Sequence, residues 1–167
     1  MKGSFKLGKI AGIGLFIHWT FSLLILFIVY VNYKAGQNAT QILWSVLFIL
    51  CIFITVFMHE LGHALTAKKF GIKTMDITLL PIGGMARLER LPEKPSEELM
   101  VAFAGPLVNI VLAFITSLFI TLPNTSEEMV AQLENGVNSS NFFLNFYLVN
   151  IVLAVFNLIP AFPMDGG

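Results

Sequence analysis

Four apolar stretches separated by short polar links dominate the pattern of this chain. Leu15 to Val31 is apolar enough to cross a bilayer, at the short end of the roughly 20 residues usually needed. Ile42 to Met58 is a second run, and no glycine or proline follows until Gly62. The pattern therefore predicts one helix continuing to Phe70 and stopping at Gly71, which suits a helix C-cap. The third run spans Leu99 to Leu122, with Ser96 as the expected N-cap and Glu97 and Glu98 in the first turn. Pro106 cannot donate to the carbonyl of Ala102, so a kink is expected there. The fourth run, Phe142 to Ile159, is broken by Pro160 and Pro163 and carries Asn145, Asn150 and Asn157, the last two on one face.

The links differ from one another. Residues 1–14 mix Lys2, Lys6 and Lys9 with glycines and alternating Phe5, Leu7 and Ile10, which reads as a short strand or interfacial arm. Residues 72–90 alternate in the period of a strand until Pro81 and Gly83-Gly84 interrupt them, which predicts a β-hairpin around a Gly-rich turn. That hairpin either packs on the bundle or leaves an edge to pair with an extended substrate. Residues 124–141 read as a polar loop with Glu127, Glu128 and Glu134. The expected fold is an all-α membrane protein, a polytopic bundle of four transmembrane helices with a small cytoplasmic hairpin. Residues 1–14 form the cytoplasmic arm and 15–167 the core. No small-residue cleavage site follows the first run, so a retained span is expected and not a signal peptide.

Composition agrees with the pattern. The chain is 56% hydrophobic and 12% charged, which places it among membrane proteins. Net charge is zero and basic runs are absent, so nothing favours nucleic acid as a partner. A single cysteine, Cys51, excludes an internal disulfide. Basic residues are unevenly spread: Lys2, Lys6 and Lys9 precede the first run, and Lys68, Lys69, Lys73, Arg87, Arg90 and Lys94 lie between the second and third, whereas the other two links hold Lys34 alone. The positive-inside rule then puts the N-terminus and residues 71–95 in the cytoplasm, at the cell membrane, and four spans return residue 160 onward to the same side.

The candidate chemistry is His59-Glu60-Leu61-Gly62-His63, an HExxH motif at the end of the second run. On a helix, residues four apart present two imidazoles to one ion, and Glu60 beside the first can reach a water on it. Three ionisable groups within five residues of a membrane helix are costly without a shared ion; a polar patch without metal is the alternative. Among the carboxylates, Asp76 and Glu89 belong to the hairpin and Glu127 to Glu134 lie on the far side. Asp165 alone emerges from a broken span on the same side as the motif and is the expected third ligand. His18 and Trp19 read as an interfacial anchor pair, with His18 as an auxiliary group at the site the alternative. An Asn within a span, such as Asn109, either bonds a neighbouring helix or serves the site.

HELGH in one span, Ala104-Gly105-Pro106-Leu107-Val108-Asn109 in the next, and Asn157-Leu158-Ile159-Pro160 leading to Pro163-Met164-Asp165-Gly166-Gly167 together resemble the site-2 protease family of intramembrane zinc metalloproteases. The resemblance extends to the Lys-rich arm before His18-Trp19 and to the Pro81–Gly84 turn. It implies one zinc ion per chain held by His59, His63 and Asp165, with Glu60 as the catalytic base. It also implies substrate-binding or oxyanion roles for Asn109 and for Gly83 and Gly84. The implied substrates are membrane-anchored regulators such as anti-sigma or pro-sigma factors. Family members continue beyond the ligand Asp, so a C-terminally truncated core is expected, with regulatory CBS domains as possible partners in the full-length protein. A metal-binding transporter and an inactive membrane scaffold are the rival readings. A transporter should thread polar residues through both leaflets, and a scaffold has no use for an intact HELGH.

Overall fold

The computed structural model describes residues 3–90, 92, 94–134 and 136–159. Strands β1 (Ser4–Ile10) and β2 (Ile13–His18) come first, followed by helices α1 (Thr20–Lys34) and α2 (Ala39–Lys69). Strands β3 (Thr74–Leu80) and β4 (Gly83–Leu88) then precede helices α3 (Pro95–Ser117), α4 (Ser126–Glu134) and α5 (Phe142–Leu158).

The long helix α2 is set by its two ends. Asn38 and Gln41 form a capping box, each side chain accepting from the other's backbone N–H. At the far end Phe70 is the C-cap, and Gly71 takes a φ of +75°, which glycine adopts without a Cβ penalty. The N–H of Ile72 bonds Ala67 O and that of Gly71 bonds Lys68 O, the paired bonds of a Schellman motif. Ile72 packs on Ala67, and the chain is turned directly into β3. The expected stop at Phe70–Gly71 is observed.

The first run is divided differently from the expected span. Leu15 to His18 belong to β2, which pairs antiparallel with β1 and parallel with β3, and α1 starts only at Thr20. Strand pairing with residues some sixty positions away overrides local hydropathy. The hairpin at 74–88 is thereby half of a four-stranded sheet, ordered β1-β2-β3-β4, so the fold is a helical bundle carrying a sheet and not all-α. Its turn is Pro81-Ile82, with Gly83 and Gly84 inside β4. Helix α3 starts at Pro95, whose fixed φ suits the first helical position, so Lys94 replaces Ser96 as N-cap. The helix ends at Ser117, short of the expected Leu122, and the polar link beyond it contains α4.

Two helices, α2 at 31 residues and α3 at 23, are long and apolar enough to cross a membrane. Only 22% and 33% of their most apolar windows are buried inside the protein, unlike core helices of a soluble globule. Leu107, Val111 and Phe114 on α3 face outward, an apolar surface of the kind lipid covers. Helices α1 and α5 are apolar but shorter, at 15 and 17 residues.

Helix α3 packs against both α2 and α5, and α1 packs on α2. The buried positions Val101, Gly105, Asn109 and Ala113 of α3 repeat every four residues and form one inward stripe. Phe21 meets Phe53 edge-on at 4.5 Å, and Phe142 of α5 stacks near Trp44 and Phe48 of α2. The sheet is held to α2 by Ile13, Ile77 and Ala64, the last adjacent to His63.

Candidate metal centre

The HExxH residues occupy the buried side of α2, with His59, Glu60 and His63 only 4%, 9% and 7% exposed. The Nε2 atoms of His59 and His63 lie 3.0 Å apart, their rings crossing at 77°. The i, i+4 spacing that predicted convergence therefore produces it. His63 Nδ1 is 2.7 Å from the backbone oxygen of Val101 on α3. A carbonyl only accepts, so Nδ1 carries the proton and the lone pair of His63 sits on Nε2, facing His59.

Helix α3 approaches closely because both helices place glycine at the contact. A Cβ on Gly62 would lie 2.8 Å from Ala104 O and 2.9 Å from a methyl of Val108. A Cβ on Gly105 would lie 2.1 Å from His63 Nε2 and 2.6 Å from His59 Nε2. The space beside the two nitrogens is thus kept by the hydrogen of Gly105. Two tetrahedral zinc ligands at about 2.0–2.1 Å from the ion are about 3.3 Å apart, so this pair needs to open by only a few tenths of an ångström. The donors, their burial and the cradle fit a zinc ion.

Glu60 is met from the other side by the sheet. A Cβ on Gly84 would lie 2.5 Å from Glu60 Cγ and 2.9 Å from its Oε1, so β4 passes directly over the carboxylate. A Cβ on the neighbouring Gly83, whose φ is +145°, would meet nothing within 4 Å and so would not touch Glu60. Asn109, one turn beyond Gly105 on the same face, is completely buried, and neither its Oδ1 nor its Nδ2 has a partner among the described residues. A buried amide without partners is costly and points to a ligand that supplies them.

The remaining expected residues divide. Asp165 lies outside the described residues, and among these no group of three His, Cys, Asp or Glu is placed to hold a metal. Asp76 is ion-paired with Arg87 across β3 and β4. His18 Nδ1 bonds Thr20 Oγ1 at 2.7 Å, at the entry to α1. Two contributions were missed from sequence: the Val101 carbonyl, for which no signal exists, and the role of Gly105, which stands in the Ala104–Asn109 motif but was assigned nothing there.

Comparison with known proteins gives a consistent answer. Residues 47–140 match the model of peptidase family M50. A zinc metalloprotease of Methanocaldococcus jannaschii is 40% identical over all of this chain and 44% of its own length. Stage IV sporulation protein FB of Bacillus subtilis is 34% identical over 71% of this chain and 37% of its own length. The chain spans less than half the length of these two relatives. The solved site-2 protease from Methanocaldococcus jannaschii superposes with a TM-score of 0.68 at 38% identity, covering 98% of this chain and 68% of that one.

Proposed function

This chain belongs to peptidase family M50, and from that premise we propose that it forms the core of an intramembrane zinc protease acting on membrane-anchored regulatory proteins. In this reading His59 and His63 hold one zinc ion per chain with Asp165 as third ligand. All four apolar helices cross the membrane, with the N-terminus and the sheet on the cytoplasmic side. The single observation carrying the proposal is the convergence of two buried Nε2 atoms on a space that Gly105 leaves clear, beside Glu60.

A zinc ion held there would acidify a water and polarise the scissile carbonyl. Glu60 accepts the proton of that water and returns it to the leaving amine. Val101 fixes the His63 tautomer through its carbonyl. Asn109, buried with both amide atoms unpartnered, donates from Nδ2 to the substrate carbonyl as charge develops on it. A helical substrate must unwind to expose its peptide bond, and β4 is an edge strand of the sheet, passing over Glu60 at Gly84. An unwound segment can add to that edge by main-chain bonds.

The test uses the full-length protein in detergent micelles with a panel of transmembrane peptides, products being read by mass spectrometry. The wild type should cleave within or beside the apolar segment. Glu60→Gln should keep its zinc and lose at least about a hundredfold in rate, the low end of general-base effects. Near-normal turnover in Glu60→Gln would remove the base from its role.

A further inference from the structure

We propose that Gly105 is the positioning residue that keeps the metal seat open, so that a single methyl group at this position excludes the ion. The inference rests on His59 and His63 being metal ligands. It goes beyond that reading by assigning the clear space beside them to a residue on a different helix that contributes no donor atom.

The geometry is specific to this glycine. A Cβ at position 105 would stand 2.1 Å from His63 Nε2, 2.5 Å from His63 Cε1 and 2.6 Å from His59 Nε2. All three lie well inside van der Waals contact, and the first is close to the roughly 2.0–2.1 Å of a zinc–imidazole bond, so a methyl and an ion compete for the space beside these nitrogens. His63 cannot swing clear without giving up its 2.7 Å bond to Val101, one turn back on the helix that carries Gly105. Moving α3 outward would give up the close helix packing at Gly62, where even an added Cβ would stand 2.8 Å from Ala104 O. The backbone at 105 does not itself call for glycine. It is ordinary α-helix without positive φ, where alanine is the better helix former. A backbone-conformation reason for glycine is therefore absent, and the imidazole pair is what a side chain at this position would meet first.

The experiment loads the full-length wild type and Gly105→Ala with Zn2+ alone and, separately, with Co2+ alone. Uptake is read by elemental analysis and the Co2+ site by its visible absorption. Gly105→Ala should bind either ion at least about tenfold more weakly and lose the wild-type Co2+ spectrum. Equal affinity with an unchanged spectrum overturns the inference. A wild type that binds neither ion overturns the reading on which it rests, and the two failures are thereby distinct.

Folding is controlled by a second pair, His59→Ala/His63→Ala and His59→Ala/His63→Ala/Gly105→Ala, both metal-free, because removing both rings makes room for the methyl. Gly105→Ala should lower the unfolding midpoint of metal-free protein when the two rings are present and leave it unchanged or raise it when both are absent. An equal drop in both backgrounds, or failure of both Gly105→Ala proteins to fold, means that helix packing resists the methyl, and overturns the proposal.

Discussion

His63 Nδ1 lies 2.7 Å from the carbonyl oxygen of Val101, so a ring carried by α2 is held in orientation by α3. This contact settles which nitrogen has the lone pair and aims it at His59. A metal at this pair would be lost with either imidazole. His59→Ala and His63→Ala should each lower zinc affinity by more than about a hundredfold, since disturbing outer-shell partners alone costs roughly 10–100-fold. Elemental analysis of the full-length variants after dialysis against a weak chelator measures this. Full zinc content in either variant would take that histidine out of the site.

Asn109 presents a different balance, a side chain whose burial costs stability unless a partner meets its amide. It is wholly buried with both amide atoms unpartnered among the described residues. Leaving such groups unsatisfied costs about 1–3 kcal/mol. Asn109→Leu should therefore raise the unfolding free energy by about 1 kcal/mol while cutting turnover by about a hundredfold, the scale of losing one oxyanion donor. Thermal unfolding and peptide cleavage on the same preparation test both halves. A variant that is less stable and fully active would make Asn109 a structural residue.

The sheet is fastened to the site helix beside the second histidine. Ile77 is fully buried against Ala64, itself fully buried, and Ile13. Ile77→Ala should destabilise the protein by about 3 kcal/mol through lost burial and the cavity left behind. Because the same contact sets β3, and through it β4, over Glu60, activity should fall with stability while zinc content holds. Denaturant unfolding and metal analysis separate these effects.

Much of this architecture was legible because it is local. The i, i+4 spacing of His59 and His63 gave their convergence, and the absence of proline from Ile42 to Phe70, with Gly62 as the single glycine, gave one continuous helix with its stop at Gly71. What the sequence hid depends on partners far away. Leu15 to His18 open a run that is apolar enough for a span, yet they belong to β2 because β3, beyond two helices, lies alongside. Gly105 stands in the Ala104–Asn109 motif, but its role was hidden, since the volume it leaves empty is defined by His59 and His63 on another helix. Gly83 and Gly84 look equivalent in sequence, and only the pleat of β4 decides that Gly84 meets Glu60.

That close passage of β4 makes Gly84 a sharp probe of the base. A methyl at position 84 would overlap Glu60 Cγ at 2.5 Å, and the backbone there has no positive φ to strain. Gly84→Ala should displace the carboxylate, leave zinc content near wild type and lower turnover by at least about tenfold, because a small misplacement of a catalytic group is enough to slow it. Gly83→Ser, where a built Cβ meets nothing within 4 Å, should affect stability through its φ of +145° more than turnover per folded molecule. Comparable losses of specific activity in both variants would show that β4 acts through its overall shape.

The third ligand is the remaining bet of the ligand set. Zinc sites that perform catalysis usually take three protein donors and leave a fourth position for water. Two donors are brought together on α2, and Asp76 is already tied to Arg87. Asp165 follows the end of α5 at Leu158 by seven positions, a tether that reaches at most about 25 Å. Helix α5 packs on α3, the helix that carries Gly105, with Asn150 and Ala154 buried. Asp165→Ala in the full-length protein should therefore weaken zinc binding by at least about a hundredfold, on the scale set by losing a neighbouring partner of the ion. Asp165→Glu should recover part of that binding, because a carboxylate on a longer stem still offers oxygen to the ion. If both variants hold zinc as the wild type does, the third donor belongs to another residue, and the two-histidine seat is completed from elsewhere in the chain.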